Sequence, residues 1–211
     1  MQDTPVWTHA CRQAAAPPLS PRDQREADRA GRLIDPAHAQ NFLHARHLMR
    51  LLAARELRLA EDAVRLEIHD DAPPGVEGDD SVSVSWSRSG PHAFAALLRD
   101  GRLGADVEQV LPRRVAPMLD MIATQTERAV MAGLGDGPDA LHGFYRLWCA
   151  KEAVLKWRGN GFRGGAKTID IPVPFISGGI DDVELDEGGT IVHLKAIHPS
   201  EDWLAVLAFS R

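Results

Sequence analysis

The stretch that decides the fold reads FYRLWCAKEAVLKW and spans residues 144–157. Its apolar side chains recur at intervals of three and four, which is the spacing of one face of an α-helix. That face comprises Phe144, Leu147, Trp148, Val154 and Leu155. The same pattern extends back to residue 139, and Gly159-Asn160-Gly161 follows it, with glycine where helices commonly end. We therefore predict a helix over residues 139–157.

A second stripe of this helix is polar and carries Glu152 and Lys156, which lie four residues apart. Alone, the two residues can be read as a surface ion pair that contributes roughly 0.2–0.5 kcal/mol. Lys151 falls within the apolar face, where a lysine must either reach out to solvent or meet an anion. Cys149 shares the polar stripe, and we predict that it packs as a small side chain, because no base is placed beside it.

A pair of acidic residues lies upstream, in the sequence GADVE at residues 104–108. Alternate side chains of a strand share one face, so Asp106 and Glu108 point the same way, about 7 Å apart along the strand. Their charges repel each other unless a cation lies between them. Mg²⁺ prefers oxygen ligands and keeps some of its waters, so two carboxylates and a substrate phosphate suit it. The alternative is a pair of exposed acids on an edge strand.

The first part of the chain reads as two helices followed by three short strands. Residues 10–19 look irregular, and Ser20-Pro21 then indicates a helix start, with serine as the N-cap. Asp100-Gly101 is a strong signal for a hairpin between the last two strands. The predicted elements are helices from 20 to before Asp35-Pro36 and over 38–59, and strands over 81–86, 93–98 and 103–107.

The second part of the chain repeats that order of helices and strands. Thr124 and Glu127 have the spacing of a capping box, which predicts a break in the helix over 115–134. A turn with two glycines at 187–189 separates two of the strand-like runs that follow. Those runs are 169–176, 182–186, 190–197 and 203–209.

The repeated order predicts an α+β fold made of two similar halves. Each half is a set of helices followed by an antiparallel meander, and a pseudo-twofold axis relates the two. We place the N-terminal half at 1–102 and the C-terminal half at 103–211, with the active site between them. A length of 211 residues and a hydrophobic fraction of 44% suffice for both cores.

The net charge and the cysteines exclude several classes of protein. A net charge of −6 argues against a general nucleic-acid binder, whose affinity depends on neutralising phosphates. Cys11 and Cys149 lie far apart, and neither belongs to a CxxC pair, so we expect neither a disulfide framework nor a cysteine-type zinc site. The N-terminus lacks the features of a signal peptide, and no apolar run approaches the ~20 residues that span a bilayer. We expect a soluble, cytoplasmic protein with no membrane partner.

Arginines supply local positive charge in this acidic chain. The predicted first helix carries four of them along one side, which can be a solvated face or a patch for an anionic ligand. They are Arg22, Arg25, Arg29 and Arg32. The sequence SWSRSG at 85–90 ends a strand and could present backbone N–H groups and the guanidinium of Arg88 to a phosphate. A polar turn is the alternative.

The acidic pair and the polar helix stripe, about forty residues apart, together resemble the paired signature of the 4′-phosphopantetheinyl transferases. That signature reads (I/V)-G-(I/V)-D-(I/V)-E and then (F/W)-(S/C/T)-x-K-E-(A/S)-x-x-K. Residues 103–108 match the first part, with Ala105 at a usually β-branched position, and residues 148–156 match every fixed position of the second. The resemblance covers roughly residues 20–211. In length and layout the chain is similar to the larger, pseudo-dimeric type, the type that activates surfactin synthetase and other peptide and polyketide synthetases.

The resemblance implies transfer of 4′-phosphopantetheine from coenzyme A to a serine of an acyl or peptidyl carrier protein. It implies that Asp106, Glu108 and Glu152 hold Mg²⁺ against the diphosphate of coenzyme A. Glu152 also takes the proton of the carrier serine, directly or through a metal-bound water. Lys156, together with Lys151, neutralises the diphosphate, and attack at the β-phosphate releases 3′,5′-bisphosphoadenosine. We expect a monomer, because one chain is long enough to hold both halves of the site.

On the nucleotide side, the resemblance implies that Arg88, Ser89 and Arg46 contact coenzyme A. The family usually carries histidine where Arg88 stands, and arginine can bind a phosphate bidentately at any pH. A Gly-Lys-Pro element that commonly precedes the turn is missing, since residues 73–78 read PPGVEG. A phosphate-binding arginine is common near the position of Asn41. The nucleotide contacts of this chain are therefore expected to differ from those of its relatives.

Two other functions stay open at the level of sequence. A relative that binds coenzyme A or a carrier protein without efficient transfer is consistent with the altered nucleotide contacts. A Mg²⁺ enzyme acting on another diphosphate could use the same three carboxylates. For carrier docking the sequence offers the arginines of residues 22–32, the pair Arg113 and Arg114, and apolar side chains of the helix over 124–134.

Overall fold

The chain forms two antiparallel sheets and two long helices within residues 4–68, 73–159 and 165–211, which the computed structural model describes. The strands are β1 (Val6–Cys11), β2 (Leu66–Glu67), β3 (Gly75–Val76), β4 (Asp79–Ser89), β5 (His92–Arg99), β6 (Arg102–Gln109), β7 (Asp182–Glu187), β8 (Thr190–Ile197) and β9 (Trp203–Ser210). The helices are α1 (Gln24–Gly31), α2 (Pro36–Leu57), α3 (Ala116–Ile122), α4 (Gln125–Leu134), α5 (Pro138–Arg158) and α6 (Val173–Ile176). None of the helices in these ranges is long and apolar enough to cross a bilayer.

The layers follow the order α2, first sheet, second sheet, α5. β5 is buried on both faces because its side chains alternate between two apolar clusters. Ala95 faces α2, whereas Phe94 faces the second sheet and belongs to the same apolar cluster as Leu207 of β9. On the far side of the second sheet, Val206 of β9 packs in the same cluster as Val154 of α5. The predicted α+β class is confirmed.

The strand order repeats from one sheet to the other. The first sheet has the order β1-β5-β4-β3-β2 and the second the order β6-β9-β8-β7. In each sheet, the earliest strand in the chain pairs antiparallel with the latest, and the latest pairs with the strand just before it. This repeat supports a pseudo-twofold relation, and the division into halves 1–102 and 103–211 stays a prediction.

The predicted hairpin at Asp100-Gly101 is wrong. β5 lies between β1 and β4 and therefore has no free edge for a third partner, so the chain crosses to the other sheet and β6 pairs with β9. Asp100 adopts a φ of 54°, which gives the sharp reversal that the turn signal indicated. The turn was recognised correctly, but local sequence does not show which strand edge is free.

Two element assignments also differ from the prediction. β1 includes residues 10 and 11, which were read as part of an irregular lead-in. α1 starts at Gln24 with Asp23 as its N-cap, because the Asp23 carboxylate accepts a hydrogen bond from the amide of Glu26.

The run over 169–176 is not a strand. Pro172 and Pro174 cannot donate to a ladder, and the amide of Ile171 bonds to a side chain instead.

Other boundary signals are confirmed. Thr124 and Glu127 form a complete capping box that separates α3 from α4. α5 ends at Gly159, whose φ of 82° is left-handed. Asn160 and Gly161 of the same signal lie outside the described residues. Gly188 and Gly189 both have positive φ in the turn between β7 and β8.

α5 approaches β6 closely because residue 104 is glycine. A Cβ at Gly104 would lie 2.0 Å from the carbonyl oxygen of Ala153 and 2.5 Å from the amide nitrogen of Trp157. Real Cβ atoms do not come so near to backbone atoms, so any other residue would push the helix away from the strand. The close approach brings the polar stripe of α5 over the acidic pair of β6.

Gly104→Ala should therefore lower the free energy of unfolding by about 1–3 kcal/mol, because the added Cβ overlaps backbone atoms of α5. Gly133→Ala on α4 is the matched control, since nothing lies within 4 Å of its added Cβ. The control should be neutral or stabilising by up to about 1 kcal/mol, as alanine favours helix. Urea unfolding measures both variants, and equal stability would contradict the close approach.

Candidate active site

Serines of β4 cover the free edge of β6, which is the edge strand of the second sheet. The hydroxyl of Ser83 donates to the carbonyl oxygen of Gly101, and the hydroxyl of Ser85 accepts from the amide of Ala105 at 2.8 Å. These bonds satisfy backbone groups that would otherwise lack a partner at a buried edge. They fix the register between the two sheets at the acidic pair.

Asp106 is a buried carboxylate, only 3% exposed. Its Oδ1 accepts two hydrogen bonds, from the Ser87 hydroxyl at 2.7 Å and from Lys156 Nζ at 2.8 Å. Its Oδ2 is buried as well and has no hydrogen-bond partner among the described residues. An unsatisfied buried acceptor costs about 1–3 kcal/mol, more when charged. This oxygen is therefore poised for a ligand.

Lys156 joins the helix to the strand at this point. Besides Asp106, its Nζ donates to the carbonyl oxygen of Ala105 at 2.9 Å. Its side chain is 31% exposed, so the ammonium group lies at the mouth of the site. The hydrogen bond from Lys156 uses the carbonyl group of Ala105, whereas the Ser85 hydroxyl bonds to the amide of the same residue.

Glu108 and Glu152 complete the acidic cluster. Burial raises the pKa of Glu108, and the charge of Asp106 adds to the effect. Burial, followed by the charge of Asp106, raises the pKa of Glu152 to about 7, while Lys156 opposes the shift and Glu108 adds to it. The three carboxylates thus repel one another, which is the electrostatic condition that a bound cation relieves.

The donor atoms of this cluster suit a hard cation, since they are carboxylate oxygens and one of them is buried without a partner. Within the described ranges, no group of three or more His, Cys, Asp or Glu side chains stands ready to hold a metal ion. A cation here would need ligand atoms beyond the side chains as they stand, such as water or substrate oxygens. Phosphate oxygens are common ligands of this kind for Mg²⁺.

Lys151 is not brought to the acidic cluster. It is 1% exposed, and its Nζ lies 2.7 Å from Oε2 of Glu127, which is equally buried. The same ammonium group donates to the carbonyl oxygens of Ala166 and Ile169 at 2.9 and 2.8 Å. Three protein acceptors therefore occupy its three protons. This arrangement does not fit the predicted contact of Lys151 with coenzyme A, and we assign the residue to the packing of α5 against α4.

Basic side chains gather on the opposite face of β4 from the serines. Arg46 of α2 is buried, and its Nε and Nη1 have no hydrogen-bond partner among the described residues. Its guanidinium lies over the rings of Phe42 and Trp86, at 4.4 and 5.5 Å from their centroids. Burial lowers the pKa of Arg88, and the neighbouring charge of Arg29 adds to this. An anion would offset this concentration of positive charge.

The arginines of residues 22–32 are divided between two roles. Arg22 pairs with Glu61 at 2.9 Å, and Arg25 donates to the carbonyl oxygen of Ile68 at 2.6 Å. Arg29 instead acts on Arg88 and on Arg46 through its charge. The sequence left open whether these arginines form a solvated face or a patch for an anionic ligand. The structure favours the anion patch only for Arg29, which lies near Arg88 and Arg46.

One residue of the site was not singled out from the sequence, and another was given a different partner. Ser87 was quoted only as part of a predicted turn over 85–90, whereas residues 85–89 belong to β4, and its hydroxyl donates to Asp106. Ser89 was assigned to coenzyme A, and its hydroxyl donates to Oε2 of Glu108 at 2.6 Å. The available signal was the strict alternation of serine in SVSVSWSRS at 81–89, which places all the serines on one face.

The fold and this site can now be compared with known proteins. A family model described as the 4′-phosphopantetheinyl transferase superfamily matches residues 102–208, just over half of the chain. The chain belongs to the 4′-phosphopantetheinyl transferase superfamily. The matched range contains β6 and α5, and so includes the acidic cluster and Lys156.

Two curated relatives of this superfamily are similar to the chain. A protein of Synechocystis sp. that carries the name of a 4′-phosphopantetheinyl transferase is 28% identical over 147 residues, which are 68% of this chain and 59% of that protein. A holo-[acyl-carrier-protein] synthase of Afipia carboxidovorans is 30% identical over 115 residues, which are 49% of this chain and 83% of the synthase. The chain thus spans less than two thirds of the Synechocystis protein.

The raised pKa of Glu152 predicts how stability depends on pH. The pKa of a glutamate in the unfolded chain is about 4.3, whereas that of folded Glu152 is about 7. Between these values the folded protein holds more protons, so the free energy of unfolding falls as pH rises. Without divalent cations or coenzyme A, Glu152→Gln should remove part of this fall. The free energy of unfolding of the variant, relative to that of the native protein, should therefore increase from pH 5 to pH 8.

Thermal unfolding at a series of pH values measures this difference. Glu201→Gln is the control, because Glu201 is exposed and lies outside the site. If the difference between the melting temperatures of the native protein and Glu152→Gln did not change with pH, the raised pKa of Glu152 would be contradicted.

Proposed function

We propose that the protein transfers 4′-phosphopantetheine from coenzyme A to a serine of an acyl or peptidyl carrier protein, with Mg²⁺. The observation that carries the proposal is the unpartnered buried Oδ2 of Asp106, next to Lys156 and two acids of raised pKa. Superfamily membership and the holo-[acyl-carrier-protein] synthase relative support the same reaction. Coenzyme A is the co-substrate that this chemistry requires.

Asp106, Glu108 and Glu152 would hold Mg²⁺ in this proposal, and Lys156 would neutralise the diphosphate. The cation supplies charge neutralisation on the diphosphate oxygens. Glu152 lies beside Asp106 and Lys156, where its carboxylate would accept the proton of the carrier serine as the general base.

The bond changes then balance. The serine oxygen bonds to the β-phosphorus and its proton passes to Glu152, as the bond from that phosphorus to the bridging oxygen breaks. The bridging oxygen leaves with 3′,5′-bisphosphoadenosine.

The basic face of β4 would receive the nucleotide end of coenzyme A. Arg46 and Arg88 are cations that burial destabilises, and the Nε and Nη1 of Arg46 have no partner among the described residues. A phosphate group would supply the missing charge and acceptors. Trp86 lies beside Arg46 on this face, so a flat ring could also pack there.

A carrier protein fits best on the side of Arg113 and Arg114. Arg113 acts on Glu108 through its charge and lies over the ring of Phe144, so it borders the acidic cluster. Leu111 and Met121 nearby in the chain are 49% and 62% exposed. The alternatives are weaker, because Arg22 and Arg25 are engaged within the chain and the apolar side chains of α4 pack against α5.

We further propose a cytoplasmic monomer. The serines of β4 and the acids of β6 and α5 come from one polypeptide, so a second copy is not needed to build the site. Cys11 and Cys149 are both free thiols, which is the usual state in a reducing compartment.

A relative that binds coenzyme A without efficient transfer is the second candidate. Arg88 stands where the family usually has histidine, and it lies in a cluster whose charges are only partly compensated. Such a cluster could bind the nucleotide tightly and release it slowly.

Incubation with coenzyme A, Mg²⁺ and several apo carrier proteins tests the proposal. We expect a gain of one phosphopantetheine on a carrier by mass spectrometry. Glu152→Gln should lower turnover by about 100-fold or more, the size of a general-base contribution, and should weaken coenzyme A binding far less. Glu201→Gln, an exposed glutamate outside the site, should behave as the native protein.

Three outcomes separate the candidates. No mass gain on any carrier, with coenzyme A bound, would favour the second candidate. Equal loss of turnover and binding in Glu152→Gln would contradict its role as base. Loss of activity in the Glu201→Gln control would show that the assay reports stability instead of chemistry.

A further inference from the structure

The serines that face β6 divide into two pairs with different partners. Ser83 and Ser85 bond to backbone atoms of the chain at 101–105. Ser87 and Ser89, further along the same face of β4, bond to the carboxylates of Asp106 and Glu108 at 2.7 and 2.6 Å. The change from backbone to carboxylate occurs where β6 begins to carry acidic side chains.

Each serine selects one oxygen of its carboxylate. At Asp106, both Ser87 and Lys156 donate to Oδ1, while Oδ2 is left without a partner among the described residues. At Glu108, Ser89 donates to Oε2. A carboxylate with one oxygen held by donors has a fixed plane, so its other oxygen points in a defined direction.

The Ser89 hydroxyl is itself oriented. It lies 3.5 Å from the amide nitrogen of Gln109, which donates toward it. A hydroxyl that accepts from a backbone amide is held with its own proton pointing away, and here that proton reaches Glu108. The backbone at the edge of β6 thus orients the Ser89 hydroxyl, and that hydroxyl orients the Glu108 carboxylate.

We infer that Ser87 and Ser89 are positioning residues that orient Asp106 and Glu108 toward a divalent cation, so that the first sheet helps the second to bind it. The inference rests on the proposed function, since it concerns the cation of that same site. It also changes the role predicted for residues 85–90, which form the end of β4 and not a separate turn. The hydroxyls of Ser87 and Ser89 orient the acids, and Arg88, on the other face of β4, remains available to bind phosphates.

Hydrogen-bond partners of metal ligands contribute to the affinity for the metal, and their loss typically weakens binding about 10–100-fold. A merely structural serine would not have this effect. Ser83 provides the comparison, because it lies on the same face of the same strand and bonds only to a backbone carbonyl group.

The test compares Ser87→Ala with Ser83→Ala. Mn²⁺ serves as the probe, and its binding is measured by electron paramagnetic resonance with coenzyme A present and no carrier protein, against a blank of coenzyme A alone. Ser87→Ala should weaken Mn²⁺ binding about tenfold, and Ser83→Ala should leave it unchanged. Ser87→Thr keeps the hydroxyl group and should bind Mn²⁺ as the native protein does.

A second readout is the Mg²⁺ concentration that gives half-maximal transfer. We expect it to rise about tenfold in Ser87→Ala, with turnover at saturating Mg²⁺ retained, because the serine orients a ligand and does not touch the substrate. Circular dichroism confirms that each variant is folded.

The outcomes distinguish this inference from the proposed function. Native Mn²⁺ affinity in Ser87→Ala, equal losses in Ser87→Ala and Ser83→Ala, or a loss in Ser87→Thr as large as in Ser87→Ala would each overturn the positioning role alone. A native protein that binds no Mn²⁺ beyond the coenzyme A blank would overturn the metal site of the proposed function, and this inference with it.

Discussion

The structure depends on one buried carboxylate that is only half satisfied. Oδ1 of Asp106 receives hydrogen bonds from β4 of the first sheet and from α5, while Oδ2 has no partner among the described residues. Three layers of the fold therefore meet at a single side chain. Gly104 lets α5 come close enough for Lys156 to reach it, and the β4 serines hold the edge of β6 in register. Loss of the Lys156 contact would leave this buried charge without its countercharge.

The same contacts leave the site under electrostatic strain. Glu108 and Glu152 lie near Asp106, so each raises the cost of charge on the others, and Lys156 offsets only part of it. Across β4, Arg46 and Arg88 carry a surplus of the opposite sign. A ligand with both a cation and phosphate groups would relieve both surpluses at once. Titratable groups whose pKa values are shifted in this way commonly mark a site for a charged ligand.

Short-range patterns in the sequence predicted the parts of this arrangement that depend on neighbours in the chain. The helical face around Glu152, the capping box at Thr124 and the shared face of Asp106 and Glu108 all follow from spacing. The crossing at Asp100-Gly101 did not, because a turn signal says nothing about which strand has a free edge. The sequence indicated that Lys151 must reach solvent or meet an anion, but it could not identify that anion, because Glu127 lies on a different helix and no local pattern joins the two.

In the proposed site, the acidic cluster and a cation together bind the diphosphate of coenzyme A. A crystal structure of the protein with coenzyme A and Mn²⁺, with the cation located by its anomalous scattering, would show this directly. We expect a cation bonded to Oδ2 of Asp106 and to a diphosphate oxygen, with Lys156 against the same diphosphate. A diphosphate bound elsewhere, with Oδ2 still lacking a ligand, would contradict it.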